Sequence, residues 1–134
     1  MKLEHVAIFT HQLEALKDFY ETYFGATANE KYVSEKEFNC TFESYFLSFD
    51  SGSRLELMMR TDIPQGDNAE GAETTGLTHI AFAVDNAYDL DFLYQQLKRD
   101  GVKIVGEPRM TGDGYYEACI LDPDGNRIEI TVTP

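Results

Sequence analysis

The sequence predicts an α+β fold built from two βαβββ modules, and three observations lead to this prediction. A short pattern around His5 (Leu, any residue, His, a β-branched residue, Ala) recurs around His79. Glu56 follows His5 by 51 residues, and Glu129 follows His79 by 50. Each Glu also lies between two apolar residues and comes after a turn that contains Asp and Gly. Motifs typical of strands and turns that repeat at one spacing indicate two similar modules.

Module 1 spans residues 1–60 and is predicted to contain a strand, a helix and three further strands. Residues 2–10 are predicted as the first strand and the polar residues 27–37 as an edge strand. Residues 42–49 and 53–60 are predicted as a hairpin across an Asp-Ser-Gly turn. The helix is indicated by apolar residues at three- and four-residue spacing, and Gly25 is expected to end it. These residues are Leu13, Leu16, Phe19, Tyr20, Tyr23 and Phe24.

Module 2 spans residues 77–134 and repeats this order after a predicted linker, 61–76, which contains Pro, Gly and several acidic residues. Residues 77–85 are predicted as a strand, and Gly101 is expected to end the following helix. Residues 103–109 are predicted as a strand, and 115–121 and 126–133 as a hairpin across Asp-Pro-Asp-Gly. The helix is marked by Leu90, Leu93, Tyr94 and Leu97.

Composition excludes several classes of function. A net charge of −13 and a pI near 4.4 argue against binding to nucleic acid or to anionic lipid. No apolar run approaches the roughly 20 residues of a membrane helix. The first residues show no signal-peptide pattern, and two cysteines do not form a disulfide framework. These features predict a cytoplasmic protein.

The candidate site consists of the two repeated His residues and the two repeated Glu residues. Side chains alternate along a strand, so Glu56 and Glu129 are expected to face away from their apolar neighbours. A carboxylate there needs water or a partner, because burying it alone costs several kcal/mol. If His5 and His79 converge with them, the four side chains form a site for a divalent metal ion with open positions. The alternative is that each His is packed and each Glu is solvated; the coincidence in both modules favours the metal site.

The same residues resemble the vicinal oxygen chelate superfamily, which includes glyoxalase I, extradiol dioxygenases, fosfomycin-resistance proteins and methylmalonyl-CoA epimerase. The resemblance covers essentially the whole chain as one domain, 1–134. It implies paired βαβββ modules whose mixed sheets curl around a metal ion (Zn, Ni, Co, Mn or Fe). The motifs that carry it are His5, Leu55-Glu56-Leu57, Gly76 to Phe82, and Asp122 to Glu129.

Within that superfamily the ligand order His, Glu, His, Glu is most similar to glyoxalase I. The resemblance therefore implies a lactoylglutathione lyase-like metalloenzyme for a small α-oxo (thio)hemiacetal, with Glu129 as the proton-transferring base and Glu56 able to share that role. Two positions depart from the glutathione-binding pattern: Phe9 stands in place of Arg, and Arg60 in place of Asn. The thiol therefore stays open.

Four further residues are candidates for substrate binding. Arg60 and Arg109 could pair with an anionic group, although solvated strand ends are the ordinary role of such residues. Tyr115 and Tyr116 follow a Gly-Asp-Gly turn and could line a pocket, although cross-strand packing is the alternative.

Three classes of function remain open. The first is the glyoxalase-type lyase or isomerase; the second is a dioxygenase or thiol transferase on the same scaffold; the third is a metal-free resistance protein that binds a small molecule. One module alone exposes an open sheet, and short chains of this superfamily resemble homodimers with shared metal sites. A homodimer is therefore expected, with His5 and Glu56 from one chain and His79 and Glu129 from the other.

Overall fold

In the computed structural model, the described residues are 1–67 and 72–134, and they form two compact units, Met1–Asp67 and Asn68–Pro134. The predicted linker 61–76 lies partly, at 68–71, outside the described residues. The predicted α+β class is confirmed, because each unit pairs one helix with one mixed sheet. Neither helix of the described residues is long and apolar enough to span a bilayer.

The first unit contains one helix and five strands, in the chain order β1 Val6–Phe9, α1 Leu13–Phe24, β2 Thr27–Ala28, β3 Tyr32–Ser34, β4 Phe42–Ser48 and β5 Arg54–Arg60. The sheet order is β1-β5-β4-β2, with β3 also paired to β4. Strand β1 runs parallel to β5, and the other pairs are antiparallel.

Helix α1 covers one face of this sheet. Its residues Leu13, Leu16, Phe19 and Tyr20 are buried, as are Leu47, Leu55 and Leu57 of the sheet. Gly25 ends the helix in the left-handed conformation (φ 68°), and its N–H donates to the Tyr20 carbonyl. A residue with a Cβ is strained at such a φ, which is why glycine is favoured there. The opposite face of the sheet is left uncovered by the helix.

The edge strand predicted across residues 27–37 is two short strands instead. Between β2 and β3, the Asn29 side chain accepts a hydrogen bond from the Phe46 N–H at 2.8 Å, and the Asn29 N–H donates to the Phe46 carbonyl at 3.0 Å. Because a side-chain oxygen takes the place of a backbone acceptor there, the regular ladder is interrupted.

The second unit repeats the plan with a four-stranded sheet of order β6-β9-β8-β7, in which β6 runs parallel to β9. Helix α2 packs on one face with Leu90, Tyr94 and Leu97 buried, and Asn86 caps it by accepting a bond from the Asp89 N–H at 3.0 Å. The elements are β6 His79–Ala83, α2 Ala87–Arg99, β7 Ile104–Met110, β8 Tyr116–Leu121 and β9 Arg127–Val132.

Candidate functional site

The two repeated Glu residues lie on the sheet faces that the helices leave uncovered. Leu55 and Leu57 are buried on either side of Glu56, and Ile128 and Ile130 are buried on either side of Glu129. Since side chains alternate along a strand, each carboxylate faces away from the helix. The predicted orientation of both Glu residues is confirmed.

Strand register brings each Glu beside the His of its own unit. In the parallel pairs, Ala7 is the Cα partner of Glu56 and Ala81 is the Cα partner of Glu129. Each His comes two residues before this Ala and therefore shares its face. The His5 Nε2 lies 3.3 Å from the Glu56 Oε2, and the His79 Nε2 lies 3.1 Å from the Glu129 Oε2.

Each His–Glu pair has the chemistry and spacing of two adjacent metal ligands. A metal with bonds of about 2.1 Å holds neighbouring ligands roughly 3 Å apart at right angles. Both His side chains are 35% exposed, so the pairs are reachable from solvent. Within residues 1–67 and 72–134, no group of three or more His, Cys, Asp or Glu side chains is arranged to hold a metal ion. Each unit by itself therefore supplies two ligand groups.

The surroundings of His5 orient its ring. Its Nδ1 contacts the Glu4 carboxylate, which leaves Nε2 directed at Glu56. The His5 ring packs edge-on against the Phe46 ring, with centroids 5.3 Å apart. The Arg54 guanidinium lies 4.2 Å from the centroid of the same Phe46 ring and forms an ion pair with Glu4. The hydrogen bond from His5 lowers the pKa of Glu4. A carboxylate on the second ring nitrogen is the usual support of a metal-binding His.

The second pair has a different neighbour across the strand. Cys119 is the Cα partner of Glu129, whereas Phe46 is the Cα partner of Glu56 in the first unit. Burial raises the pKa of the Cys119 thiol. The Arg127 guanidinium approaches the Glu73 carboxylate to 3.9 Å, and Glu73 is largely exposed.

A cleft of about 440 Å³ opens beside Glu129, within the second unit. Its walls carry three carboxylates and three hydroxyl groups. The lining residues are Ala81, Thr111, Asp113, Tyr115, Glu117, Glu129 and Thr131. Ligands bind in concave sites, so a cleft that includes a candidate metal ligand is a candidate substrate site.

The four residues predicted to bind substrate lie in different environments. Tyr115 lines the cleft. The Tyr116 hydroxyl instead donates to Asp91 of α2 at 2.7 Å, which raises the pKa of Tyr116. Arg109 is 66% exposed, and its guanidinium lies 3.8 Å from the Glu117 carboxylate.

Arg60 is held by a neighbouring carboxylate. Its guanidinium donates two hydrogen bonds to Asp62, at 2.9 and 2.6 Å, and lies 4.2 Å from the Phe38 ring. This bonding lowers the pKa of Asp62 to about 2. Arg60 thus already has an anionic partner.

The sequence did not predict the residues beside the two His–Glu pairs, such as Glu4 and Cys119, or the residues of the cleft other than Tyr115 and Glu129. Glu117 and Thr131 lie two residues from Cys119 and Glu129, so strand alternation could have placed them on the same face. Glu4 could not be found this way, because neighbours in a strand point to opposite faces and its contact depends on the irregular backbone before β1.

Comparison with known proteins gives a consistent family likeness. The family model described as the Glyoxalase/Bleomycin resistance protein/Dioxygenase superfamily matches residues 2–130. Biphenyl-2,3-diol 1,2-dioxygenase 2 from Rhodococcus globerulus is 29% identical over 133 residues, which cover 98% of this chain and 62% of that protein. The chain therefore spans less than two thirds of that relative's length.

Two solved structures illustrate the likeness of fold. A glyoxalase family protein from Bacillus cereus has a TM-score of 0.82 at 20% identity, covering 98% of this chain and 93% of its own. A lactoylglutathione lyase from Agrobacterium tumefaciens has a TM-score of 0.67 at 19% identity, covering 98% and 92%. At 20% and 19% sequence identity, these two similarities show a shared fold and nothing about activity.

Proposed function

The chain belongs to the Glyoxalase/Bleomycin resistance protein/Dioxygenase superfamily, and from this membership we propose that it is a metal-dependent enzyme of glyoxalase I type. The family match confirms the resemblance read from the sequence. The proposed reaction moves a proton between adjacent carbons of a small α-oxo (thio)hemiacetal. Because one fold hosts several chemistries, the reaction has to be argued from the residues of the site.

The observation that carries the proposal is the same His–Glu pair in both units. His5 with Glu56 and His79 with Glu129 have donor atoms 3.3 and 3.1 Å apart. Imidazole nitrogen and carboxylate oxygen suit divalent ions of intermediate hardness, such as Zn, Ni, Co, Mn or Fe. We propose that the four side chains bind one such ion, whose charge the two carboxylates neutralise.

Glu129 is the proposed base. A carboxylate that faces a substrate cleft can remove the proton from the carbon that carries the hydroxyl and sulfur groups. The electron pair then forms a carbon–carbon double bond, and negative charge develops on the former carbonyl oxygen. The hydroxyl proton of the first carbon then moves to the former carbonyl oxygen, and the abstracted proton returns to the neighbouring carbon. The product has a thioester carbonyl on the first carbon and a hydroxyl group on its neighbour. Glu56, the equivalent carboxylate of the first unit, is the second candidate for this role.

The metal ion, when bound, would supply Lewis-acid stabilisation of the negative charge on the substrate oxygens. The other residues of the cleft position the substrate. Tyr115 lines the same cleft as Glu129, and its hydroxyl is a group that can donate a hydrogen bond to a substrate oxygen. Arg60, Arg109 and Tyr116 stay predictions for substrate binding, and their present partners make them weaker candidates.

The test combines a hemithioacetal assay with the substitution Glu129→Gln. Protein loaded separately with each of the five metals is supplied with methylglyoxal and a thiol, and thioester formation is followed. An amide can still coordinate a metal but cannot act as a base, so we expect Glu129→Gln to retain metal and to lose about 100-fold or more in rate. Glu107→Gln, an exposed change on β7 outside the cleft, is the matched control. Equal activity in wild type and Glu129→Gln would remove Glu129 from the mechanism.

Ring-cleaving dioxygenation is the second candidate, because the 29% identical relative is a dioxygenase and the likeness covers 98% of this chain. It is tested with Fe(II)-loaded protein, biphenyl-2,3-diol and oxygen, by measuring oxygen uptake together with the ring-opened product. We expect no turnover there. Oxygen uptake with this diol, combined with no activity on hemithioacetals, would replace the isomerase proposal.

A further inference from the structure

The walls of the cleft in the second unit are acidic. Asp113, Glu117 and Glu129 contribute carboxylates, and none of the described residues that line the cleft is Lys, Arg or His. With the divalent ion bound at Glu129, Asp113 and Glu117 remain as negative charges in the cleft, so an anionic group beside them meets an unfavourable potential. A cationic group meets a favourable one.

Glu117 is the carboxylate of the three that has a guanidinium nearby, and that ion pair is weak. Asp113 accepts a hydrogen bond from the Thr111 hydroxyl, and Glu129 lies 3.1 Å from the His79 ring nitrogen. Glu117 has the Arg109 guanidinium at 3.8 Å, and Arg109 is 66% exposed. An ion pair that long and that exposed is weak and is screened by salt. The Glu117 charge is therefore available to a ligand.

Thr131 provides a second and independent observation. It lines the cleft and is 7% exposed, and its buried Oγ1 has no hydrogen-bond partner among the described residues. Buried hydroxyl groups are normally paired, so an unpaired one at a cleft wall points to a missing partner. Thr131 is the Cα partner of Glu117 across β8 and β9. A single group in the cleft can thus meet the hydroxyl and the carboxylate together.

We propose that this cleft selects a substrate whose distal group is a cationic amine. The positive charge lies against Glu117, and an N–H of the amine donates to the Thr131 Oγ1. This inference rests on the proposed isomerase function and adds the substrate class: an α-oxo hemithioacetal of an amine-bearing thiol, in preference to one that bears carboxylates.

The test uses three thiols of similar size with methylglyoxal and the metal-loaded protein. 2-(Dimethylamino)ethanethiol is cationic, 2-methoxyethanethiol is neutral and 3-mercaptopropionate is anionic, and the hemithioacetal concentration is measured for each. We expect kcat/KM to fall in that order, with the cationic substrate at least about tenfold above the anionic one at low ionic strength, because charge complementarity steers binding. The ratio should shrink as salt is added. Equal kcat/KM values would overturn the proposal.

Two substitutions test whether Glu117 and Thr131 cause the preference for the cationic substrate. Glu117→Gln keeps the shape of the side chain and removes its charge, and it should lower the ratio of cationic to anionic substrate several-fold. Thr131→Val should lower kcat/KM for the cationic substrate several-fold more than for the neutral one. Glu107→Gln removes the same charge outside the cleft and should keep the wild-type ratio. A wild-type ratio in Glu117→Gln would overturn the proposal.

Binding is measured in parallel so that the two proposals can fail separately. The S-acetonyl thioethers of the same thiols do not react, and calorimetry gives their Kd values. Preference for the cationic thioether without turnover of any hemithioacetal would support the cleft and contradict the isomerase function. Turnover without any charge preference would support the isomerase and overturn the inference about the cleft.

Discussion

Two threonines in the cleft differ in what their hydroxyl groups contact. The Thr111 Oγ1 accepts a hydrogen bond from the Tyr115 N–H at 3.0 Å and bonds to the Asp113 carboxylate. The Thr131 Oγ1 is buried without a partner among the described residues. A satisfied hydroxyl stabilises the fold, whereas an unsatisfied buried one destabilises it. Thr111 therefore has a structural role, whereas the role of Thr131 is the ligand contact that we propose for it.

The two threonines should contribute differently to the free energy of unfolding. Thr111→Val should lower the free energy of unfolding by about 1 kcal/mol, because it removes hydrogen bonds and keeps the shape of the side chain. Thr131→Val should leave the free energy unchanged or raise it, since it removes an unpaired polar atom. Urea denaturation of both variants against wild type measures the difference. A Thr131→Val variant that loses as much stability as Thr111→Val would mean that its hydroxyl is paired in the folded protein.

For single residues, the sequence predicts the direction of a side chain better than it predicts the groups that the side chain contacts. The outward direction of Glu56 and Glu129 follows from alternation with buried neighbours, and the two His residues follow from the repeat. The partners of Arg60 and Tyr116 depend on what lies nearby in three dimensions: Asp62 in the following turn and Asp91 on helix α2. No periodicity in the sequence contains that information.

At the scale of elements, both helices and the central strands follow from periodicity and from end signals. Gly25 ends α1 in the left-handed conformation, as predicted. The strand predicted across residues 27–37 lies at the sheet edge but is interrupted, because the Asn29 side chain accepts a hydrogen bond from the Phe46 N–H in place of a backbone carbonyl. A polar sequence does not reveal this local contact. Short polar edge segments are therefore less predictable than helices and buried strands.

The second prediction tests the end of α1. Gly25→Ala should lower the free energy of unfolding by about 1 kcal/mol, because a side chain at φ 68° is strained. A Cβ at this position would have no atom within 4 Å, so conformational strain alone is tested. Gly66→Ala, at a glycine outside the left-handed region and equally free of neighbours, is the control and should change little. Equal stability of the two variants would argue against the strain.

For the whole molecule, the repeat in the sequence corresponds to two compact units, each with one helix, one mixed sheet and one His–Glu pair. If the two His–Glu pairs are halves of a metal site, they can combine within one chain or between two chains. We propose a homodimer in which His5 and Glu56 of one chain join His79 and Glu129 of the other, since a two-fold axis then creates two equal sites.

Complementation tests the sharing of sites. His5→Ala and His79→Ala, each inactive alone, are co-expressed with different affinity tags, and the heterodimer is purified through both tags. Shared sites would give one intact and one doubly damaged site, so about half of the wild-type activity should return. A verified heterodimer without activity or metal would show that each site is built within one chain.

The measurement that tests the central claim most directly is metal stoichiometry and affinity in the wild type and in two single variants. Elemental analysis and calorimetry should find one divalent ion per wild-type chain. His5→Ala and His79→Ala, from different units, should each weaken binding by more than about tenfold, the least that a lost supporting contact costs, while circular dichroism stays unchanged. A wild type that binds no ion even after reconstitution, or a variant of either His that binds as tightly as wild type, would contradict the proposal that the two His–Glu pairs form one metal site.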